Sequence, residues 1–176
     1  MNGSPFSALI FFDPPMCKPG RNHREFEAAA TIISESARRR QDKFEAYEEL
    51  AELLSRLPSF QKLVPGVFDL MARTTLRASE NKDGFELRCP RDYEALMANY
   101  AGVYSVSPDF SKLECPVKVL GADPTMPFSY LPTLDLSGMI SVDYDFLPGA
   151  SHFLPLERPH ECAAVSKEFL TSVGLL

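Results

Sequence analysis

Ser7-Ala8-Leu9-Ile10-Phe11-Phe12-Asp13-Pro14-Pro15 is an apolar run stopped by an aspartate and two prolines. A short continuous apolar run without alternation fits a strand buried on both faces, as in a parallel sheet. Two later stretches repeat the pattern. Val117-Lys118-Val119-Leu120-Gly121-Ala122 ends at Asp123-Pro124, and Ile140 to Phe146 ends at Leu147-Pro148-Gly149. Buried strands that are separated by other elements point to an α/β protein with about three parallel strands.

The material between the first two strands reads as mostly helical. Lys18-Pro19-Gly20 is a turn. Phe26, Ala30, Ile33 and Ala37 then fall on one helical face, opposite a charged face that ends in Arg38-Arg39-Arg40. Basic residues at a helix C-terminus suit the macrodipole. Asp42 is placed to cap the next helix, with Glu45 in capping-box position and a stripe of Phe44, Tyr47, Ala51 and Leu54. Pro65 to Leu76 reads as a shorter helix. Phe85 to Arg88 is a brief extended piece, and Pro90 opens a helix carrying Tyr93, Leu96, Met97 and Tyr100. Pro159 opens a last helix with Cys162, Val165, Phe169 and Leu170 on its apolar side. The organisation expected is a core strand and turn over 1–20, a helical insertion over 21–104, and the remaining core over 105–176.

Composition narrows the function classes. The 176 residues carry 18 Lys+Arg against 24 Asp+Glu, a net charge of -6. That balance argues against nucleic acid, whose phosphates want a basic face. With 45% hydrophobic and 24% charged residues the chain reads as a soluble globular protein, and no apolar stretch approaches the length of a membrane span. Cys17, Cys89, Cys115 and Cys162 are widely spaced, with no C-x-x-C pair and no zinc-ligand spacing. No metal or organic cofactor is implied. Met1 to Pro5 lacks a secretory n-region and the end is not S-K-L, so a cytoplasmic protein with reduced thiols is expected.

In open α/β sheets, ligand-handling groups gather outside the carboxyl ends of the strands. Asp13, Asp123 and His152 follow strands directly. An aspartate and a histidine at neighbouring strand ends can form the orienting and base members of a nucleophilic triad. The acid fixes the imidazole tautomer, and the imidazole takes the nucleophile's proton at a pKa near operating pH.

Cys115-Pro116-Val117-Lys118-Val119-Leu120-Gly121-Ala122-Asp123-Pro124 resembles the penultimate strand and acid loop of the α/β-hydrolase family. Leu147-Pro148-Gly149-Ala150-Ser151-His152-Phe153-Leu154-Pro155-Leu156-Glu157-Arg158-Pro159 resembles its last strand end, histidine loop and closing helix. Within that family the likeness is to fungal peroxisomal or toxin-biosynthesis hydrolases. The resemblance implies a partial α/β-hydrolase fold with residues 21–104 as the cap. It implies Asp123 as catalytic acid and His152 as catalytic histidine. Asp13 is the alternative acid, because some members place the acid after the earlier strand; otherwise it is a turn residue before Pro14-Pro15. His23 and His160 sit in charged stretches and receive no role. Ester-type hydrolysis of a hydrophobic substrate is what the resemblance implies for the intact family. Phe44, Tyr47, Phe60, Phe68 and Met71 are either cap residues lining the site or residues packing the cap.

The family's G-x-S-x-G nucleophile turn occurs nowhere in the 176 residues, and no early oxyanion-hole loop is recognisable. Gly3-Ser4-Pro5 and Leu136-Ser137-Gly138 lack the frame, and Cys115 precedes its strand. Because triad members act as a unit, this chain alone is expected to be inactive. Three readings follow. The chain is the C-terminal part of a hydrolase; or a degenerate hydrolase that binds a partner, for example through the apolar edge of its first strand; or an unrelated small α/β binding domain.

Overall fold

The computed structural model describes residues 5–14, 21–81, 83–104, 113–126 and 142–176. Along the chain the elements are β1 (Leu9–Phe12), α1 (Arg21–Arg39), β2 (Lys43–Phe44), α2 (Tyr47–Ser55), a 3-10 turn at Pro58–Phe60, α3 (Val67–Thr75), β3 (Leu76–Ala78), β4 (Phe85–Leu87), α4 (Arg91–Tyr104), β5 (Val117–Gly121), β6 (Asp143–Phe146), α5 (Leu154–Glu157) and α6 (Pro159–Ser172). They divide into two compact units, Met1–His23 with Ser105–Leu176, and Arg24–Tyr104.

The first unit is built on a parallel sheet in the order β1-β5-β6. Leu9 to Phe12 pair with Val117 to Leu120, and Lys118 to Gly121 pair with Asp143 to Phe146. β5 is buried at every position, as a central strand must be when both faces are covered. Alternation sends its side chains two ways. Val117 and Val119 meet Leu9, Phe11, Val142 and Tyr144. Leu120 turns to the other face and meets Phe12, Leu147, Ala150, Leu154, Cys162 and Val165. Lys118 is a buried cation in this strand, and its Nζ donates to Oδ1 of its register partner Asp143 at 2.8 Å. Proline at the first position starts α6, which buries Cys162 and Phe169. The three strands and the closing helix stand where the apolar runs put them. The expected third strand began at Ile140, and its first two residues lie outside the described ones, as do Cys17, Lys18-Pro19-Gly20 and Ser137.

The second unit holds more strand than expected: the extended piece at Phe85 is β4, and two further strands join it. β2, β4 and β3 make an antiparallel sheet around Phe44, Leu50, Ala72, Leu76 and Leu87. Phe44, expected on a helix, pairs with Phe85 in the sheet. The capping box at Asp42 and Glu45 does not form. The helix starts later, at Tyr47, and Asp42 pairs with Arg91 at 3.0 Å while its carbonyl accepts from the Leu87 amide at 3.2 Å. Sheet pairing claimed those residues, so tertiary contacts overrode a local cap signal. Two helices also bury fewer of their expected apolar residues. On α1 Ala30 and Ala37 are buried as expected, joined by Ser34, but Ile33 is exposed. On α4, Ala95 is buried while Tyr93, Leu96, Met97 and Tyr100 are exposed. The ion pairs Arg91–Asp42 and Arg40–Glu94, with Arg91 Nη1 on the Arg40 carbonyl at 2.9 Å, hold that orientation.

Candidate active site

The site forms where the three parallel strands end. Phe12 closes β1 and the next residue, Asp13, takes φ 40°, in the left-handed region that aspartate tolerates better than most residues. Its amide still donates to the Leu120 carbonyl at 2.8 Å, so the turn is tied to β5. This bend puts a carboxylate over the end of the neighbouring strand. Asp13 Oδ1 accepts from the Ala122 amide at 3.0 Å, and Asp13 Oδ2 stands 2.7 Å from His152 Nδ1. The Asp13 side chain is 8% exposed and that of His152 is 31% exposed. A buried carboxylate therefore grips the Nδ1 edge of an imidazole that remains partly open. In the neutral imidazole this contact puts the proton on Nδ1 and leaves Nε2 as the acceptor.

Asp123 was the expected acid, but the carboxylate that meets His152 is Asp13's. Asp123 Oδ1 accepts from the Thr125 amide at 2.8 Å and from the Thr125 hydroxyl at 2.6 Å. Its Oδ2 accepts from the Gly149 amide at 2.7 Å, and its own amide donates to the Ala150 carbonyl at 2.9 Å. Asp123 thus ties the end of β5 to the loop that carries His152. Ser151, beside the histidine, is buried, and both its hydroxyl and its amide donate to the buried Glu157. Ser151 and Glu157 stand in the stretch around His152 that carries the resemblance, without an expected role of their own; the available signal was a glutamate on the apolar approach to Pro159.

The other candidate groups lie elsewhere in the unit or in its core. Cys115 precedes β5, at the opposite end of the strand from Asp13. Burial, then the nearby charge of Glu161, pushes the Cys162 thiol up, which disfavours its nucleophilic thiolate form. Cys89 and Cys162 are in no disulfide. Among the described residues no cluster of three or more His, Cys, Asp or Glu could hold a metal ion. Among them, too, no helix is long and apolar enough to cross a membrane.

Tyr144 approaches the same strand end from β6. A Cβ at Gly121 would stand 2.7 Å from the Tyr144 hydroxyl, so glycine is what lets the ring lie there. Burial first, then the charges of Asp13 and Asp145, push the Tyr144 phenol above its ordinary 10.0. The folded state therefore keeps its proton to higher pH than the unfolded chain does. Its contribution to stability is complete below about pH 10 and is lost as pH rises through the folded value. We expect the urea midpoint to fall between pH 9 and pH 11, and less steeply in Tyr144→Phe; equal slopes in the two proteins would contradict this.

Solved structures share this arrangement of elements. The chain superposes on E-2-(acetamidomethylene)succinate hydrolase with a TM-score of 0.64 at 11% identity, covering 94% of this chain and 57% of that one. It superposes on the peroxisomal alpha-beta-hydrolase of Saccharomyces cerevisiae with a TM-score of 0.64 at 13% identity, covering 94% and 47%. The chain carries a partial α/β-hydrolase fold. MenH from S. aureus gives a TM-score of 0.54 at 14% identity, covering 96% of this chain and 60% of that one. The chain thus spans about half to three-fifths of the hydrolase-fold structures it matches. At these identities the likeness is one of fold. No protein-family model and no curated protein matches the sequence.

Proposed function

We propose that this chain supplies the acid and histidine of an α/β-hydrolase site for ester-type hydrolysis, with Asp13 orienting His152 and His152 Nε2 as general base. The supporting observation is the 2.7 Å contact between a buried carboxylate and the Nδ1 edge of a partly open imidazole, at the carboxyl ends of parallel strands. Asp123 serves as a tie for the histidine loop in this reading. The Arg24–Tyr104 unit is the cap, and the substrate is a hydrophobic ester. Phe44 and Tyr47 pack in that unit's own core.

The nucleophile in this reading comes from a G-x-S-x-G segment outside the 176 residues, so the chain alone has no triad hydrolysis. The purified chain is expected to leave p-nitrophenyl esters at the buffer rate. Turnover that His152→Ala abolishes would overturn that expectation. Translating the coding sequence upstream of Met1 tests the source of the nucleophile; the reading predicts an in-frame G-x-S-x-G there or in a separate gene.

A second reading, a binding module, draws on β1. Leu9 and Asp13 send their amides to Pro116 and Leu120 across the ladder, so by alternation Ile10 and Phe12 turn theirs the other way. Among the described residues no strand lies on that side. Such an apolar edge favours pairing with another strand. Size-exclusion chromatography of the chain is expected to show self-association; a concentration-independent monomer would argue against an edge seeking a partner.

A further inference from the structure

We propose that Glu157 is a positioning residue for His152: a buried carboxylate that sets the loop on which the imidazole is presented to Asp13. The inference rests on the Asp13–His152 pair of the proposed function and adds a third carboxylate to it. Glu157 lies one turn past the histidine, in α5, and is 5% exposed. Its Oε2 accepts from the Ser151 amide at 2.8 Å, and its Oε1 accepts from the Ser151 hydroxyl. Ser151 is itself 3% exposed, and its Oγ accepts from the Phe153 amide at 3.2 Å. The residues on either side of His152 are therefore both held, directly or through one hydroxyl, by the same carboxylate. On the other flank Asp123 holds Gly149 and Ala150.

The chemistry favours this role over a purely structural one. A carboxylate removed from water costs free energy unless its lone pairs are filled. Glu157 spends its two bonds on the residue next to the histidine instead of on its own helix. An amide and a hydroxyl accepted together fix both the position and the rotation of Ser151, and hence the direction in which the next Cα–Cβ bond leaves the chain. Both Asp13 and His152 come from short segments at strand ends. Their 2.7 Å contact needs the histidine loop to be placed to a fraction of an ångström.

The experiment reads the His152 Nδ1–H proton by NMR in the 176-residue chain, through its 15N tautomer shifts and its exchange with water. The unaltered chain is expected to show an Nδ1-protonated imidazole with slow exchange. In Glu157→Ala that exchange rises at least tenfold and tautomers mix, while Glu157→Gln, which keeps one acceptor for Ser151, stays within about threefold of the unaltered chain. Ser151→Ala, which removes only the hydroxyl bond, gives an intermediate rise and replaces Glu157→Ala if that variant does not fold. Unchanged Nδ1–H exchange in folded Glu157→Ala, or in Ser151→Ala where it substitutes, overturns the inference even if the melting temperature drops. An unaltered chain lacking the Nδ1–H signal overturns the Asp13–His152 pair itself. An Asp13→Asn control that moves the signal while Glu157→Ala does not leaves the pair standing and removes only Glu157's role.

Discussion

Asp13→Asn turns the imidazole of His152 over to its other tautomer, and Asp123→Asn leaves it as it is. Asparagine is tolerated at positive φ, so the backbone at residue 13, at φ 40°, is kept. The new amide offers its oxygen to the Ala122 N–H, where Asp13 Oδ1 accepts now, and its NH2 to His152 Nδ1. Nδ1 must then accept, and the proton moves to Nε2. In a site that includes a nucleophile, this leaves no base on the edge that faces it; the equivalent change in a serine-protease triad costs about four orders of magnitude in kcat. The same substitution at Asp123 acts on bonds to Thr125 and Gly149 and not on the ring. Long-range 1H–15N imidazole spectra of the two variants decide between the acids. A tautomer switch in Asp123→Asn but not in Asp13→Asn would return the acid's role to Asp123.

Leu120→Ala carries the largest expected loss of stability, about 2–5 kcal/mol. Leu120 is fully buried on the central strand. It joins Ala150, Leu154 and Cys162, with Phe12, Leu147 and Val165 around them. Those neighbours come from β1, from the loop after β6, and from α5 and α6, so no single side chain can move in to fill the void. Domains hold only about 5–15 kcal/mol in total, so the variant stands near the edge of folding. The loss also reaches the site, because the Leu120 carbonyl accepts the Asp13 amide and Ala150 precedes the histidine loop. Urea unfolding measures the effect; a change below about 1 kcal/mol would mean the cluster collapses around the vacancy and is not the core described.

The parallel core was legible because its signals are local and redundant. A continuous apolar run stopped by Asp13-Pro14-Pro15, and another stopped by Asp123-Pro124, admit little but short buried strands. The second unit was harder. Asp42 and Glu45 carry a good cap pattern, yet Lys43 and Phe44 are drawn into a sheet by Phe85 and Glu86, some forty residues away. Ile33 and the α4 aromatics follow helical spacing, but which stripe turns inward depends on small residues and ion pairs such as Arg91–Asp42. Periodicity states that a helix has faces; it does not state which neighbour each face meets.

By itself the sequence determined three parallel strands, of which β5 alone is buried throughout while β6 is mostly exposed, a closing helix, His152 as the site histidine candidate, and the want of a G-x-S-x-G turn within these 176 residues. Only the tertiary structure decided which carboxylate the histidine meets. Asp13 and Asp123 both follow strands and both precede proline, so local chemistry cannot separate them. The strand order β1-β5-β6 puts them at the same end of the sheet. The left-handed turn at Asp13 then carries its carboxylate across β5 to His152, while the loop after β6 folds back onto Asp123 and occupies it. A hydrogen bond between residues 139 positions apart is fixed by where strands end in space, and that is information the order of residues alone does not contain.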